Sequence, residues 1–99
     1  VNAALTFATS RRPSGDILLS AVGEIDMSNA ATLAAALADA HRDASGGPVT
    51  LDLTGVEYID SAGLAVLYPH VATLRLVATD LLAPVLTVAG LDDLTTIAD

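Results

Sequence analysis

Residues 49–68 constrain this chain more than any other stretch, because the apolar spacing changes there from that of a strand to that of a helix. Val49, Leu51 and Leu53 alternate with Thr50, Asp52 and Thr54, the two-residue period of a half-buried strand, and Gly55 is expected to end it. Leu64, Leu67 and Tyr68 then recur at helical spacing. Between the two, Asp60 or Ser61 is a natural N-cap, since a side-chain oxygen there accepts from N–H groups that a first helical turn leaves without partners. The N–H groups of Ser61, Ala62 and Gly63 are expected to point outward as an anion site. A phosphate on Ser61 would set roughly two negative charges on the positive end of the helix dipole.

The rest of the chain reads as alternating elements around that junction. Leu5 and Phe7 alternate with Thr6 and Ala8 in a short first strand, and the turn residues Ser10-Arg11-Arg12-Pro13-Ser14-Gly15 lead to an apolar run from Ile17 to Ile25. That pair is expected to form an antiparallel hairpin. Asp26-Met27-Ser28-Asn29 offers side-chain caps, and Ala30, Leu33, Ala34, Leu37 and Ala40 follow at helical spacing, so a helix is expected over 28–44. Gly46-Gly47-Pro48 breaks it. Pro69 falls about two turns into the second helix, where a proline costs about 3 kcal/mol, so that helix should stop or kink there. Leu74-Arg75-Leu76-Val77-Ala78 is the next strand, Pro84 suits the first turn of a short helix over 83–89 ended by Gly90, and a last strand is expected over 95–98. The order β-β-α-β-α-β-α-β implies an α/β fold, a single domain over 1–99 with a mixed β-sheet, helices packed on it and a shortened second helix.

Asp60-Ser61-Ala62-Gly63-Leu64 after an apolar strand resembles the phosphorylation loop of STAS domains, in particular the anti-sigma factor antagonists. Gly23-Glu24-Ile25-Asp26 is similar to the family's signature at the end of its second strand, and Val88-Ala89-Gly90-Leu91-Asp92-Asp93-Leu94 to its closing helix-Gly-Leu turn. The three occur in the family's order, and the resemblance covers residues 5–97. It departs from the pattern at Pro69, which shortens the second helix, and in offering no counterpart after residue 98 to the last helix of many STAS domains. The resemblance implies a non-enzymatic switch without a cofactor of its own. Ser61 would be the phosphorylation site, and Asp26, Met27, Ser28, Asp60, Ser61, Ala62 and Gly63 would form the partner-binding surface. The implied partners are an anti-sigma factor that is also a serine kinase of the histidine-kinase-like ATPase type, bringing its own ATP and Mg²⁺, and a serine phosphatase that resets the switch. A module of a different class is a STAS scaffold or ligand sensor, within a larger protein or beside a transporter, in which Ser61 is never phosphorylated.

Composition narrows the alternatives. A net charge of −8, with four arginines and no lysine, opposes binding to a nucleic-acid backbone, which needs clustered cations. There are no cysteines for disulfides, thiol chemistry or Cys-based zinc sites, and no apolar run long enough to span a bilayer. With no basic-plus-apolar leader, a cytoplasmic protein is expected, and the absence of Lys beside abundant Ala associates with a high-GC bacterial genome. His41 and His70 follow no hydrolase or metal-ligand spacing, and Asp-Ser-Ala-Gly is not a nucleophile elbow, so serine hydrolysis and a metal site are not expected. The plain roles of Ser61 and Asp26 are capping of the helices that follow them, and Met27 is an exposed apolar residue suited to packing or to an interface.

Overall fold

A computed structural model describes residues 4–98, so residues 1–3 and 99 of the expected domain lie outside the description. The strands are β1 (Thr6–Arg11), β2 (Ile17–Ile25), β3 (Val49–Ile59), β4 (Leu74–Ala78) and β5 (Thr95–Ile97). The helices are α1 (Ala30–Asp43), α2 (Ser61–Leu67) and α3 (Ala83–Val88), with 3₁₀ turns at Tyr68–His70 and Asp92–Leu94. The element order is the expected one. In the sheet the strands lie in the order β1-β2-β3-β4-β5, with β1 antiparallel to β2 and every later neighbour parallel. Each parallel pair is joined by one helix, and right-handed crossovers that always step the same way place all the helices on one face.

That face holds the core. Leu19, Ile25, Leu51, Leu53, Leu74 and Leu76 of the strands pack against Leu33, Leu37, Leu67 and Leu86 of the helices, all buried. Fully burying a side chain of this size contributes about 1.5–3 kcal/mol, so aliphatic packing carries the fold with almost no aromatic help. The alternating burial of β2 and β4 is what their sequences predict, and both strands begin and end where expected.

Three boundaries differ from the expectation by more than one residue. The strand that begins at Val49 does not stop at Gly55 but runs on to Ile59, with register shifts against β2 between Ser20 and Val22 and between Gly23 and Glu24. A glycine inside a strand marks a bulge as readily as an end. The bulge keeps Val56 and Ile59 in the core while Glu57 and Tyr58 face solvent. β1 also continues through Arg11, paired with Ile17, instead of turning at Ser10. α1 starts two residues later than expected, at Ala30, because residues 26–29 form a hydrogen-bonded turn of their own.

α2 ends at Leu67, as Pro69 requires, and passes into the 3₁₀ turn. That turn is fixed from the side. The His41 and His70 rings stack with centroids 4.7 Å apart and 14° between planes. His41 lies 3.0 Å from the Leu37 carbonyl oxygen through Nδ1 and 3.0 Å from Thr73 Oγ1 through Nε2. A carbonyl only accepts, so Nδ1 carries the proton and Nε2 of the neutral ring accepts from the Thr73 hydroxyl. The two histidines thus fill the boundary between α1 and the 3₁₀ turn.

Gly23 sits where β2 passes the start of the chain. Its φ is 123°, and a Cβ there would lie 2.4 Å from the Ala4 carbonyl oxygen, so the position admits no side chain.

Candidate functional site

The parallel strands β2 and β3 end side by side at Ile25 and Ile59, which are partners in register, and each is followed at once by an aspartate. Asp60 does the capping of α2. Its Oδ1 accepts from the Gly63 N–H at 3.0 Å, and its backbone is extended (φ −101°, ψ −175°), the N-cap conformation. Its other oxygen, Oδ2, accepts from the Met27 N–H at 3.1 Å, and its own N–H donates to the Ile25 carbonyl at 3.1 Å. One carboxylate therefore ties the loop after β2 to the first turn of α2. Of the seven residues expected at a surface, Asp26, Met27 and Ser28 lie on the loop after β2 and Asp60, Ser61, Ala62 and Gly63 at the start of α2, with the two segments joined by that bond and Gly63 itself buried.

Gly63 is buried under the first turn. A Cβ there would lie 2.6 Å from Ile25 Cγ2 and 2.8 Å from Ile59 Cγ1, so a bare Cα lets the helix rest directly on the two strand ends. Ala62 is half-buried, and Ser61, one residue past the cap, is exposed.

Two expectations about these groups are corrected. The N–H groups of Ser61, Ala62 and Gly63 do not form a bare anion site, because Asp60 occupies the Gly63 N–H. Asp26 does not cap α1. Asn29 is the N-cap residue there, and its side chain staples the loop instead, accepting from the Asp26 N–H at 2.9 Å and donating to the Glu24 carbonyl at 2.8 Å. Asp26 Oδ1 accepts from the Ser28 N–H at 2.8 Å and from the Ser28 hydroxyl. That hydroxyl, then the Ser28 and Asn29 N–H groups, hold the Asp26 carboxyl below its ordinary value of 3.8 against a small opposing effect of burial. Met27 is 82% exposed at the tip of this loop.

Beside Ser61 runs a feature that sequence reasoning missed, an apolar groove of about 500 Å³ between α2 and α3. Ser61 stands at its mouth, with Leu64 and Tyr68 on one wall and Val85, Val88 and Ala89 on the other. The Tyr68 hydroxyl donates to the Ala89 carbonyl at 2.7 Å and holds the walls together. The available signal was that Tyr68, Val85 and Val88 are apolar residues the core does not consume, Val88 being 90% exposed.

Among the described residues no group of three or more His, Asp or Glu side chains could hold a metal ion, and no helix is long and apolar enough to cross a membrane. A monotonic mixed sheet with three helices on one face, and a serine presented beside a capped α2, define a STAS-type domain. A family model described as "Mlab, STAS domain" matches residues 8–96, and the chain belongs to the STAS domain family. No curated protein matches it. Among solved structures, an anti-sigma factor antagonist from Mycobacterium paratuberculosis is 27% identical with a TM-score of 0.82, over 95% of this chain and 85% of that one. The anti-sigma factor antagonist SpoIIAA in its unphosphorylated form is 14% identical with a TM-score of 0.76, over 95% of this chain and 89% of that one. The phosphorylated form of SpoIIAA, described as a Bacillus cell fate determinant, is 16% identical with a TM-score of 0.67, over 95% and 92%. The likeness to SpoIIAA is one of fold.

Proposed function

We propose that this chain is an anti-sigma factor antagonist, a protein that acts by binding rather than by catalysis. Its unphosphorylated form binds an anti-sigma factor that is also a serine kinase of the histidine-kinase-like ATPase type and so releases a sigma factor. Phosphorylation of Ser61 switches the binding off, and a serine phosphatase restores it. The observation that carries this reading is the division of labour at the α2 terminus. Capping falls to Asp60, through Gly63, and the adjoining Ser61 is left exposed at the mouth of an apolar groove. A phosphate there brings about two negative charges into a surface that must shed water to bind, a cost of several kcal/mol unless a cation pairs with it. The names of the structural relatives, anti-sigma factor antagonists in both phosphorylation states, support the same reading.

The test is intact mass and site mapping after incubation with ATP, Mg²⁺ and each ATPase-type anti-sigma factor of the source organism. One phosphate on Ser61 from one kinase is expected. Ser61→Ala should stay bound to that kinase and Ser61→Asp should bind it poorly, and equal affinity of the two variants would refute the switch. The matching family model is described as a STAS domain without mention of a sigma factor, and the second reading is accordingly a STAS scaffold or ligand-sensing module with Ser61 unmodified. No phosphate from any active kinase of the panel would select it.

A further inference from the structure

The cations of this domain are gathered at one end, whereas acids stand at both. Its four cationic side chains lie at one end of the parallel strands: Arg11 pairs with Ile17 and Arg75 with Thr50 in the register, Arg12 is in the β1–β2 turn, and Arg42 is in the last turn of α1. Two of them are engaged by acids at that same end, Arg12 by Asp16 and Arg42 by Asp39. The Ser61 end carries exposed Glu57 and Asp80 and the half-buried Asp60, with no Lys or Arg. The groove lining is apolar apart from Ser61, and Asp80 and the 64% exposed Leu81 precede Pro84 at the start of α3, so the acids stand at the Ser61 end of the groove and not along it.

We propose that the groove is a docking site for a cationic protein surface, which seats an apolar side chain between Leu64, Val85 and Val88 while its Lys or Arg side chains face Glu57, Asp60 and Asp80. Apolar complementarity supplies the contact, and opposite charge supplies steering and partner choice. A second copy of this chain is a poor occupant, because it would bring like charge to an acidic end of a molecule of net charge −8. The inference rests on the reading above that the Ser61 face binds a partner, and it adds what that partner presents. It also states how Ser61 is read: a phosphate at the groove mouth has no cation of this chain beside it and draws water into the seat of the apolar side chain.

The experiment titrates the whole domain, followed by ¹H–¹⁵N NMR, with two amphipathic helical peptides that share one leucine face and differ in carrying either Arg and Lys or Glu and Asp on the other. The cationic peptide is expected to move the amides of Leu64, Tyr68, Val85 and Val88, and to lose at least tenfold in affinity between 50 and 300 mM NaCl, values set by the charge screening of exposed groups. Val88→Asp, at a solvent-facing position, should weaken it at least tenfold with the remaining spectrum unchanged. The proposal is overturned by binding elsewhere, by equal binding of the acidic peptide, or by a Val88→Asp effect under twofold. Concentration-dependent shifts of the same amides without peptide would assign the groove to a second copy and overturn it too. Because no kinase is needed, a groove that binds in a protein whose Ser61 is never phosphorylated separates this proposal from the switch, and the converse result separates them equally.

Discussion

Replacing Gly63 by Ala adds one methyl group beneath the first turn of α2, where the space is already filled. The new carbon would lie 2.6 Å from Ile25 Cγ2, 2.8 Å from Ile59 Cγ1 and 3.2 Å from Ile59 Cδ1, all well inside the contact distance of about 3.5–4.0 Å between carbons. Ile59 Cδ1 can rotate away. Ile25 Cγ2 hangs on a branched Cβ, so it moves only if χ1 leaves its preferred rotamer or the backbone shifts. Overpacking of this kind costs about 1–3 kcal/mol, whereas Ala returns up to about 1 kcal/mol over Gly within a helix, less in a first turn. The net loss is about 1–2 kcal/mol, and for a domain of this size that lowers Tm by about 5–15 °C. Urea and thermal unfolding followed by circular dichroism measure it, with Ala65→Gly on the exposed side of the same helix as the control for propensity alone. A Gly63→Ala protein as stable as the parent, or more so, would refute the reasoning, because helix propensity would then outweigh the close approach.

Asp60→Ala removes both the cap of Gly63 and the acceptor for the Met27 N–H, and should cost about 2 kcal/mol, whereas Asp60→Asn keeps an oxygen for the Gly63 cap but sets an NH₂ group, which cannot accept, against the Met27 N–H, and should cost about 1 kcal/mol. Hydrogen exchange at the Met27 amide should rise in the Ala variant, and equal losses for Ala and Asn would sink the capping argument. His70 titrates below its ordinary value of 6.5, first because burial disfavours the charged ring and second because the adjoining His41 ring disfavours a second positive charge beside it. Its neutral form is the one the fold prefers, so the stability it supports is complete above 6.5 and is lost as pH falls from there toward the folded-state value. Thermal unfolding between pH 7.5 and 5.5 should show that loss, reduced in His70→Gln, and identical pH profiles for the two proteins would count against it.

The sequence is legible where one period rules one segment. β2 and β4 alternate in and out of a single core, and α1 repeats Leu33, Leu37 and Ala40 along one face, so periodicity alone locates them. β3 misleads because Gly55 looks like punctuation, while the bulge that continues the strand depends on pairing with Val22 of β2. The Asp26 loop misleads for a related reason. Any of Asp26, Ser28 and Asn29 could cap a helix, yet Asn29 takes the N-cap position with its side chain turned back to the Glu24 carbonyl, so no side chain caps α1. Ser61 and the residues around it could be placed on the turn before a helix, whereas the bond from the Met27 N–H to Asp60 spans thirty-three positions and leaves no local trace. The groove is the extreme case, since its two walls come from helices on either side of β4.

The strand order has a consequence for the kind of ligand such a surface can take. Open parallel sheets hold small molecules in the crevice that forms where the strand order reverses and helices leave on opposite faces. Here the order β1-β2-β3-β4-β5 never reverses, so no pair of neighbouring strands parts to open a slot for a nucleotide. The carboxyl ends of β2, β3 and β4 stand in one row with Ser61 set just after β3, and the space a ligand could enter lies between the helices α2 and α3 instead of between strands.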